Sequence, residues 1–214
     1  MAAGVENLPA VVPVFAVSGA LLLPGARVPL TVFEPRYLAM TDDCLGAGRL
    51  FALVQPRADG KGTAPGLYDV GCLARIVAFG ETGDGRYLIT ALGLNRFRVA
   101  GEAEGRSGYR RVQADYAPFA ADGGPKADTA IDRHRLVNAV ATYLHRHGVK
   151  ADLAKLDPAD DGEVVTALAM AAPLSPEEKQ ALLEAPTIAD RAQLMIAMFE
   201  MALLAEDGGH MPVH

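Results

Sequence analysis

The sequence predicts an α+β protein in which a closed or nearly closed β structure is followed by a bundle of helices. From Val11 to about Tyr116, apolar residues alternate with polar ones or form short runs that glycine and proline interrupt. Beyond residue 121, apolar residues recur at helical spacing. Many short strands in roughly a hundred residues are typical of a sheet that closes on itself.

The boundary between the two parts is predicted at FAADGGPKAD, residues 119–128, a small, polar stretch rich in turn residues. The charge balance changes at the same place. Residues 1–120 contain 12 Lys and Arg against 11 Asp and Glu, whereas residues 121–214 contain 8 against 15. We therefore predict a β-barrel subdomain over 1–120 and a helical subdomain over 121–214 with a disordered tail.

The candidate strands in chain order are VVPVFAV, VPLTVF, LFALVQ, GCLARIVAF, RYLITALG, RFRVAG and YRRVQADY. The triplet Gly-Asp-Gly at residues 83–85 lies between two of them, which predicts a hairpin. Alternation in NRFRVAG places Phe97 and Val99 on one face of a half-buried antiparallel strand. Arg96 and Arg98 then fall on the opposite face, where we expect them to be solvated.

The stretch TVFEPRYLAM, residues 31–40, predicts a corner at which a strand ends and a helix begins. Glu34 precedes a proline, which favours extended backbone. Pro35 suits the first helical position because that position needs no N–H donor. From Tyr37 onward, apolar residues recur at helical spacing until Gly46 ends the helix.

About four helices are predicted after the boundary, the first of which ends at Gly148. The second begins at Asp157-Pro158, read as an N-cap followed by proline at the first helical position. Ser175 to Glu178 form a capping box at the start of SPEEKQALLEA. Thr187 to Asp190 repeat that signal before the last helix, RAQLMIAMFEMALLAE.

Composition and motifs argue against several classes of function. The net charge of −6 and the pI of about 5.3 provide no basic field for nucleic acid or an anionic membrane. A phosphate-binding loop and a nucleophile elbow are both missing from the sequence. His145 and His147 lack the spacing of a zinc pair. We therefore expect no catalytic residue, no metal and no cofactor.

The chain is expected to be cytoplasmic. Its N-terminus, MAAGVENLPA, lacks the basic region of a secretory signal, and no apolar run reaches the roughly 20 residues that a membrane span needs. Cys44 and Cys72 are too far apart in sequence for a metal cluster or a redox pair. We expect both to be buried free thiols in a reducing compartment.

Four segments occur in an order that is typical of one protein family. They are LPG at residues 23–25, FEPRY at 33–37, VGCLARI at 70–76 and GLNRFRV at 93–99. Together with LSPEEKQALLE at 174–184, they resemble the N-terminal substrate-binding domain of the Lon protease family over nearly the whole chain. The resemblance implies a PUA-like β-barrel followed by a C-terminal α-helical bundle.

The resemblance also implies a function. In full-length Lon proteases the corresponding domain helps to recognise damaged or unfolded polypeptides, and an ATPase module and a Ser-Lys peptidase domain follow it. The chain has neither, so we expect a stand-alone, ATP-independent module of protein quality control rather than an enzyme. Its expected partners are unfolded or damaged polypeptides and a separate protease, to which it would act as an adaptor.

The FEPRY segment supplies the first candidate partner-binding residues. Glu34, Arg36 and Tyr37 could hold a partner peptide. In the alternative, structural interpretation, Arg36 pairs locally and Tyr37 packs against the barrel with its hydroxyl hydrogen-bonded. The helix-start chemistry already accounts for most of the motif and favours this alternative.

The last helix supplies the second set of candidates. Met195, Met198 and Met201 carry flexible thioether side chains that could adapt to varied apolar partners. The alternative is that they fill the core of the bundle, which is the usual place for apolar helix residues.

RNA binding is the competing function, because PUA-like barrels elsewhere recognise RNA. Its support is a set of arginines that could gather on neighbouring strands: Arg96, Arg98, Arg106, Arg110 and Arg111. The near-neutral barrel and the aromatic content of 6% argue against it, and a solvated sheet face is the simpler role. A small-molecule pocket in the barrel stays open as a third class, although the chain has no tryptophan for an aromatic cage.

Overall fold

The computed structural model describes residues 8–57, 65–124, 130–149 and 159–208. The strands in these ranges are β1 (Val11–Ala16), β2 (Arg27–Val32), β3 (Leu50–Val54), β4 (Pro56–Arg57), β5 (Gly66–Leu67), β6 (Val70–Glu81), β7 (Tyr87–Arg106) and β8 (Tyr109–Asp115). The helices are α1 (Pro35–Gly46), α2 (Arg133–Arg146), α3 (Asp161–Ala171), α4 (Pro176–Glu184) and α5 (Ile188–Gly208). A 3-10 helix, Ala117–Gly123, follows β8. The predicted disordered tail lies largely outside the described residues.

The longer strands form a sheet that closes on itself. They are hydrogen-bonded in the order β2-β7-β6-β3-β1-β8, and β8 also pairs with β7. Closure depends on the 20-residue length of β7, which pairs with β2 near its start and with β8 from Arg98 to Arg106. Strands β1 and β3 run parallel, and the other described pairs are antiparallel. The predicted α+β class is confirmed.

Alternating side chains of the closed sheet form an apolar core. Its fully or nearly fully buried members are Val12, Val14, Ala52, Val54, Leu67, Leu73, Phe97, Val112 and Tyr116. The period-two pattern of the sequence reflects this arrangement, because alternate residues of a strand point to the same side of the sheet.

Strand β7 joins two segments that the sequence analysis predicts as separate strands, RYLITALG and RFRVAG. Gly93, where the predicted strands meet, does not form a turn. Its N–H donates to the carbonyl of Ala26, and its carbonyl accepts from the N–H of Gly25, each at 2.9 Å. A Cβ atom at this position would lie 2.2 Å from the carbonyl oxygen of Leu23. Glycine is therefore required for close approach of two backbones.

The predicted hairpin at residues 83–85 joins β6 to β7. The N–H of Thr82 donates to the carbonyl of Arg86 at 2.8 Å. Gly85 has a φ of +81°, a conformation that glycine adopts without steric cost.

The chain divides into two compact units. The first contains the strands, α1 and the 3-10 helix, together with Leu174–Glu184. The second contains α2, α3 and α5. Helix α4 thus packs with the sheet, whereas the sequence analysis assigns it to the helical bundle. A domain boundary at residues 120 and 121 stays a prediction, but the contacts of α4 do not follow it.

Two buried glutamines hold α4 in the sheet unit. The Nε2 group of Gln55, which follows β3, donates to the carbonyl of Pro176 at 2.9 Å, and its Oε1 accepts from the N–H of Gly19 at 2.9 Å. Gln180 donates to the carbonyl of Val70 at 3.0 Å. Because buried polar groups are costly without partners, these bonds make the position of α4 specific.

Side chains that are close in sequence cap the N-terminal ends of α3, α4 and α5. Ser175 and Glu178 form the predicted capping box, with bonds of 2.8 and 3.2 Å between each side chain and the other's N–H. Thr187 and Asp190 also cap each other as predicted. Helix α3 differs, because its N-cap is Asp160 rather than a residue of the predicted Asp157-Pro158 start, which lies outside the described residues. Among the described helices, none has the length and apolar character needed to cross a bilayer.

Candidate functional site

The FEPRY segment forms the predicted corner between β2 and α1. Glu34 is the N-cap residue in extended conformation, and Pro35 is the first residue of the helix. The Glu34 side chain makes no capping bond. It pairs instead with Arg36, at 2.6 Å from Nη2 to Oε2, and both side chains are about half exposed. Arg36 thus pairs locally, as the structural interpretation expects.

Tyr37 is buried and connects α1 to β1 through hydrogen bonds and ring stacking. Its hydroxyl donates to the carbonyl of Ala16 at 3.1 Å and accepts from the N–H of Ala16 at 3.2 Å. Its ring stacks on Phe15 with the centroids 4.3 Å apart. Burial raises the pKa of the Tyr37 hydroxyl, so this group stays protonated and able to donate. A partner could reach Glu34 and Arg36 but not Tyr37.

The three candidate methionines of α5 have different environments. Met195 is fully buried, Met198 is half-buried and Met201 is 70% exposed. Leu204, one turn further along, is also 70% exposed. Met195 therefore fills the core of its unit, whereas Met201 and Leu204 form an apolar surface on α5.

A second exposed apolar surface, which is not among the candidates predicted from the sequence, lies on the sheet unit. Thr31 of β2, Leu88 of β7 and Gly80 of β6 are direct neighbours in the pairing register. Leu88 is 51% exposed, and Phe33, which follows β2, is 62% exposed. The next residue of the strand, Ile89, is buried, and successive residues point to opposite faces of a sheet, so Leu88 is on the side opposite the core. Its direct partners project from that same side.

We call this surface the outer face of β2, β7 and β6. Its outward residues are Arg27, Pro29, Thr31, Arg75, Ala78, Leu88, Thr90 and Leu92, each exposed or half-buried. Val77, at an irregularity in the pairing, is 41% exposed beside it. The alternation in RYLITALG contains the signal for this face, since it separates Leu88 and Leu92 from the buried Ile89 and Ala91.

The arginines proposed for RNA binding do not form one solvated face. Arg96 is buried, contrary to the expectation. Its guanidinium binds both carboxylate oxygens of Asp122 at 2.7 and 2.9 Å and donates to the carbonyl of Leu183 at 3.0 Å. It also lies 4.5 Å from the ring centroid of Phe119. The 3-10 helix and α4 cover this part of the sheet, so period-two alternation alone misplaces the side chain.

Two further arginines of that set are paired. Arg110 forms an ion pair with Glu102, and Arg106 lies 3.2 Å from Asp43. Arg98 is exposed and Arg111 is half-buried. Only part of the set is therefore available to a polyanion, which weakens the RNA-binding alternative.

Both cysteines are buried free thiols, as predicted. Burial raises the pKa of Cys44 and of Cys72 to about 12. At neutral pH both are protonated, and a protonated thiol is a poor nucleophile. Within the described residues, no group of three or more His, Cys, Asp or Glu residues could hold a metal ion.

Comparison with known families defines the class of protein. The model of the ATP-dependent protease La (LON) substrate-binding domain matches residues 11–200. A closed sheet with associated helices and exposed apolar surfaces is consistent with a binding domain. The chain belongs to the family of Lon substrate-binding domains, and the part that matches is non-catalytic.

Curated relatives and solved structures agree with this assignment. The chain is 26% identical over 197 residues to the Lon protease of Anaeromyxobacter dehalogenans and 25% identical to Lon protease 2 of Myxococcus xanthus. Both matches cover 90% of this chain. The chain spans only about a quarter of the length of these relatives, 23% and 24% respectively.

The solved structures have the same fold. A Lon N-terminal domain protein from Xanthomonas campestris is 26% identical with a TM-score of 0.62, over 87% of this chain and 97% of the other. The N-terminal domain of the Mycobacterium avium complex Lon protease, 21% identical, has a TM-score of 0.56 over 89% and 98%. The PUA-like barrel with helices after it is confirmed.

Proposed function

We propose that the chain is a polypeptide-recognition module that binds unfolded or damaged proteins in the cytoplasm without using ATP. Membership of a family of substrate-binding domains supports this proposal. The main structural support is the exposure of Phe33 and Leu88 on the outer face of β2, β7 and β6. Unfolded chains differ from folded ones in exposing apolar side chains, which such a face would cover.

The size of the face predicts weak and reversible binding. Burying one large apolar side chain contributes about 1.5–3 kcal/mol, and Phe33, Val77 and Leu88 are the large apolar residues most exposed there. Binding must also offset the lost freedom of both partners. A few apolar contacts therefore suit transient contact with clients of varied sequence, rather than tight binding of one partner.

Slowing of client aggregation tests the proposal. The purified chain should delay the light scattering of several chemically denatured clients. The double variant Phe33→Ser with Leu88→Thr should lose most of this effect, because it removes two exposed apolar groups without changing the core. Met201→Gln, which removes an even more exposed apolar group from α5, is the control and should retain the effect.

The possible results distinguish a binding site at a different surface from a failure of the proposed function. Loss of protection in Met201→Gln alone would transfer the site to α5, next to the other methionine candidates. No protection by the unmodified chain with any client would contradict polypeptide recognition itself.

We further propose that the chain delivers bound clients to a separate protease. The support is that related domains are parts of Lon proteases. Adding the chain to a Lon protease from the same cytosol should increase the initial rate of client degradation, and the Phe33→Ser, Leu88→Thr variant should not. An unchanged rate with the unmodified chain would contradict the adaptor role and leave client binding unaffected.

A further inference from the structure

A cleft of about 450 Å³ lies on the sheet unit, beside the C-terminal end of α1. Its apolar lining includes Val11 and Pro13 of β1 and Leu50 of β3. Volumes of this order are typical of clefts that bind small molecules. The cleft therefore has the size and apolar surface to accept one or two residues of a bound chain.

Several polar side chains in the cleft lining already have hydrogen-bond or ion-pair partners. Asp43 accepts a hydrogen bond from the hydroxyl of Tyr109 at 2.8 Å and forms an ion pair with Arg106 at 3.2 Å. Burial and the bond to Asp43 raise the pKa of Tyr109 to about 12, so its hydroxyl remains a donor at neutral pH. Asp42 interacts with the hydroxyl of Tyr87, at the start of β7.

Arg111 of β8 is the exception. It is half-buried in the lining, directly opposite Pro13 in the strand register. In the described part of the chain, no hydrogen bond or ion pair involves its guanidinium. A half-buried cation beside apolar surface is complementary to a carboxylate, because a charge-assisted bond compensates for water that both groups lose.

We propose that this cleft binds a carboxylate that lies next to an apolar side chain of a bound polypeptide. Arg111 binds the carboxylate, and Val11, Pro13 and Leu50 contact the apolar side chain. The carboxylate belongs either to the C-terminus of the polypeptide or to an internal acidic residue. This inference rests on the proposed function and deepens it, since it names the feature of the polypeptide that the chain selects.

Labelled peptides of one apolar sequence test the inference by fluorescence anisotropy with the full chain at low salt. One peptide has a free C-terminal carboxylate, the second a C-terminal amide, and the third a C-terminal amide with one internal Glu. A peptide with a carboxylate should bind about fivefold more tightly than the plain amide, the upper range for a partly exposed ion pair. The peptide that shows the preference identifies the source of the carboxylate.

Two variants assign the preference to the cleft. Arg111→Gln should abolish it while leaving the affinity for the plain amide unchanged. Ala47→Trp, at the exposed C-cap of α1 in the cleft lining, should abolish it by filling the cleft. Arg98→Gln, which changes an exposed arginine outside the cleft lining, should keep it. Thermal melting of each variant confirms that it is folded.

The failures are distinguishable. Equal affinity for all three peptides, or a preference that persists in Arg111→Gln, would overturn the cleft inference while polypeptide binding stands. Absence of binding with every peptide, together with no protection of denatured clients, would overturn the proposed function as well.

Discussion

Arg96 connects the sheet to two of the elements that cover it, the 3-10 helix and α4. It binds Asp122 of the 3-10 helix and the carbonyl of Leu183 in α4, and the side chains of Arg96 and Asp122 are only 6% and 9% exposed. The sequence shows Arg96 at a position that alternation assigns to the outside. It does not show what covers that position, because the partners lie 26 and 87 residues away.

Arg96→Met should lower the free energy of unfolding by about 3–5 kcal/mol, because it leaves the carboxylate of Asp122 buried without its cation. Urea denaturation measures this change. Arg98→Met, two residues further along the strand and exposed, is the matched control and should cost less than about 1 kcal/mol. Equal effects of the two substitutions would contradict the anchoring role of Arg96.

Tyr37, rather than Arg36, should determine the stability of the FEPRY corner. Tyr37→Phe keeps the stack on Phe15 but removes both hydrogen bonds to Ala16, at an expected cost of about 1 kcal/mol or more. Arg36→Ala removes a half-exposed ion pair, which contributes about 0–1 kcal/mol. Chemical denaturation should rank the two in this order. The reverse ranking would show that the ion pair holds the corner.

At the scale of the elements, local chemistry is readable from the sequence and long-range contact is not. The Glu34-Pro35 corner, the hairpin at 83–85 and the capping pair of Ser175 and Glu178 depend on neighbouring residues, and the structure confirms each. The position of α4 depends on Gln55 and Gln180, which are 125 residues apart. No periodicity signals such a contact.

A long-range contact that the sequence does not reveal also explains the role of Gly93 in strand β7. The sequence analysis uses it to separate two strands, whereas its role is close approach to Leu23. Gly93→Ala should destabilise the chain by about 1–3 kcal/mol or more, since backbone must shift to admit the methyl group. Gly80→Ala is the control, because a Cβ there meets nothing within 4 Å. Urea denaturation that shows no difference between them would contradict this account of β7.

At the scale of the whole molecule, the change in charge balance after residue 120 falls between β8, which ends at Asp115, and α2, which begins at Arg133. It does not indicate that the chain returns to the sheet unit at Leu174–Glu184. A fragment of residues 1–120 lacks Asp122 and α4, so Arg96, Gln55 and Val70 lose partners. We expect this fragment to show no cooperative thermal transition by circular dichroism. A transition near that of the full chain would instead support an independent domain of residues 1–120.

The exposed apolar surfaces are the part of the structure that is least predictable from the sequence. Glu34, Arg36 and the methionines stand out by residue type, yet Tyr37 and Met195 are buried. Leu88 and Phe33 belong to apolar runs that the sequence assigns to strands without indicating which apolar side chains stay uncovered. Exposure depends on which elements pack over each face, and that is a property of the complete fold.

We propose that the chain binds unfolded polypeptide and performs no chemistry on it. The most direct test is the fluorescence anisotropy of a labelled, permanently unfolded client titrated with the pure chain, with and without ATP. We predict saturable binding that ATP does not change, no hydrolysis of ATP or client, and affinity about tenfold lower for the Phe33→Ser, Leu88→Thr variant. Absence of binding, or turnover of ATP or client by the pure chain, would contradict the claim.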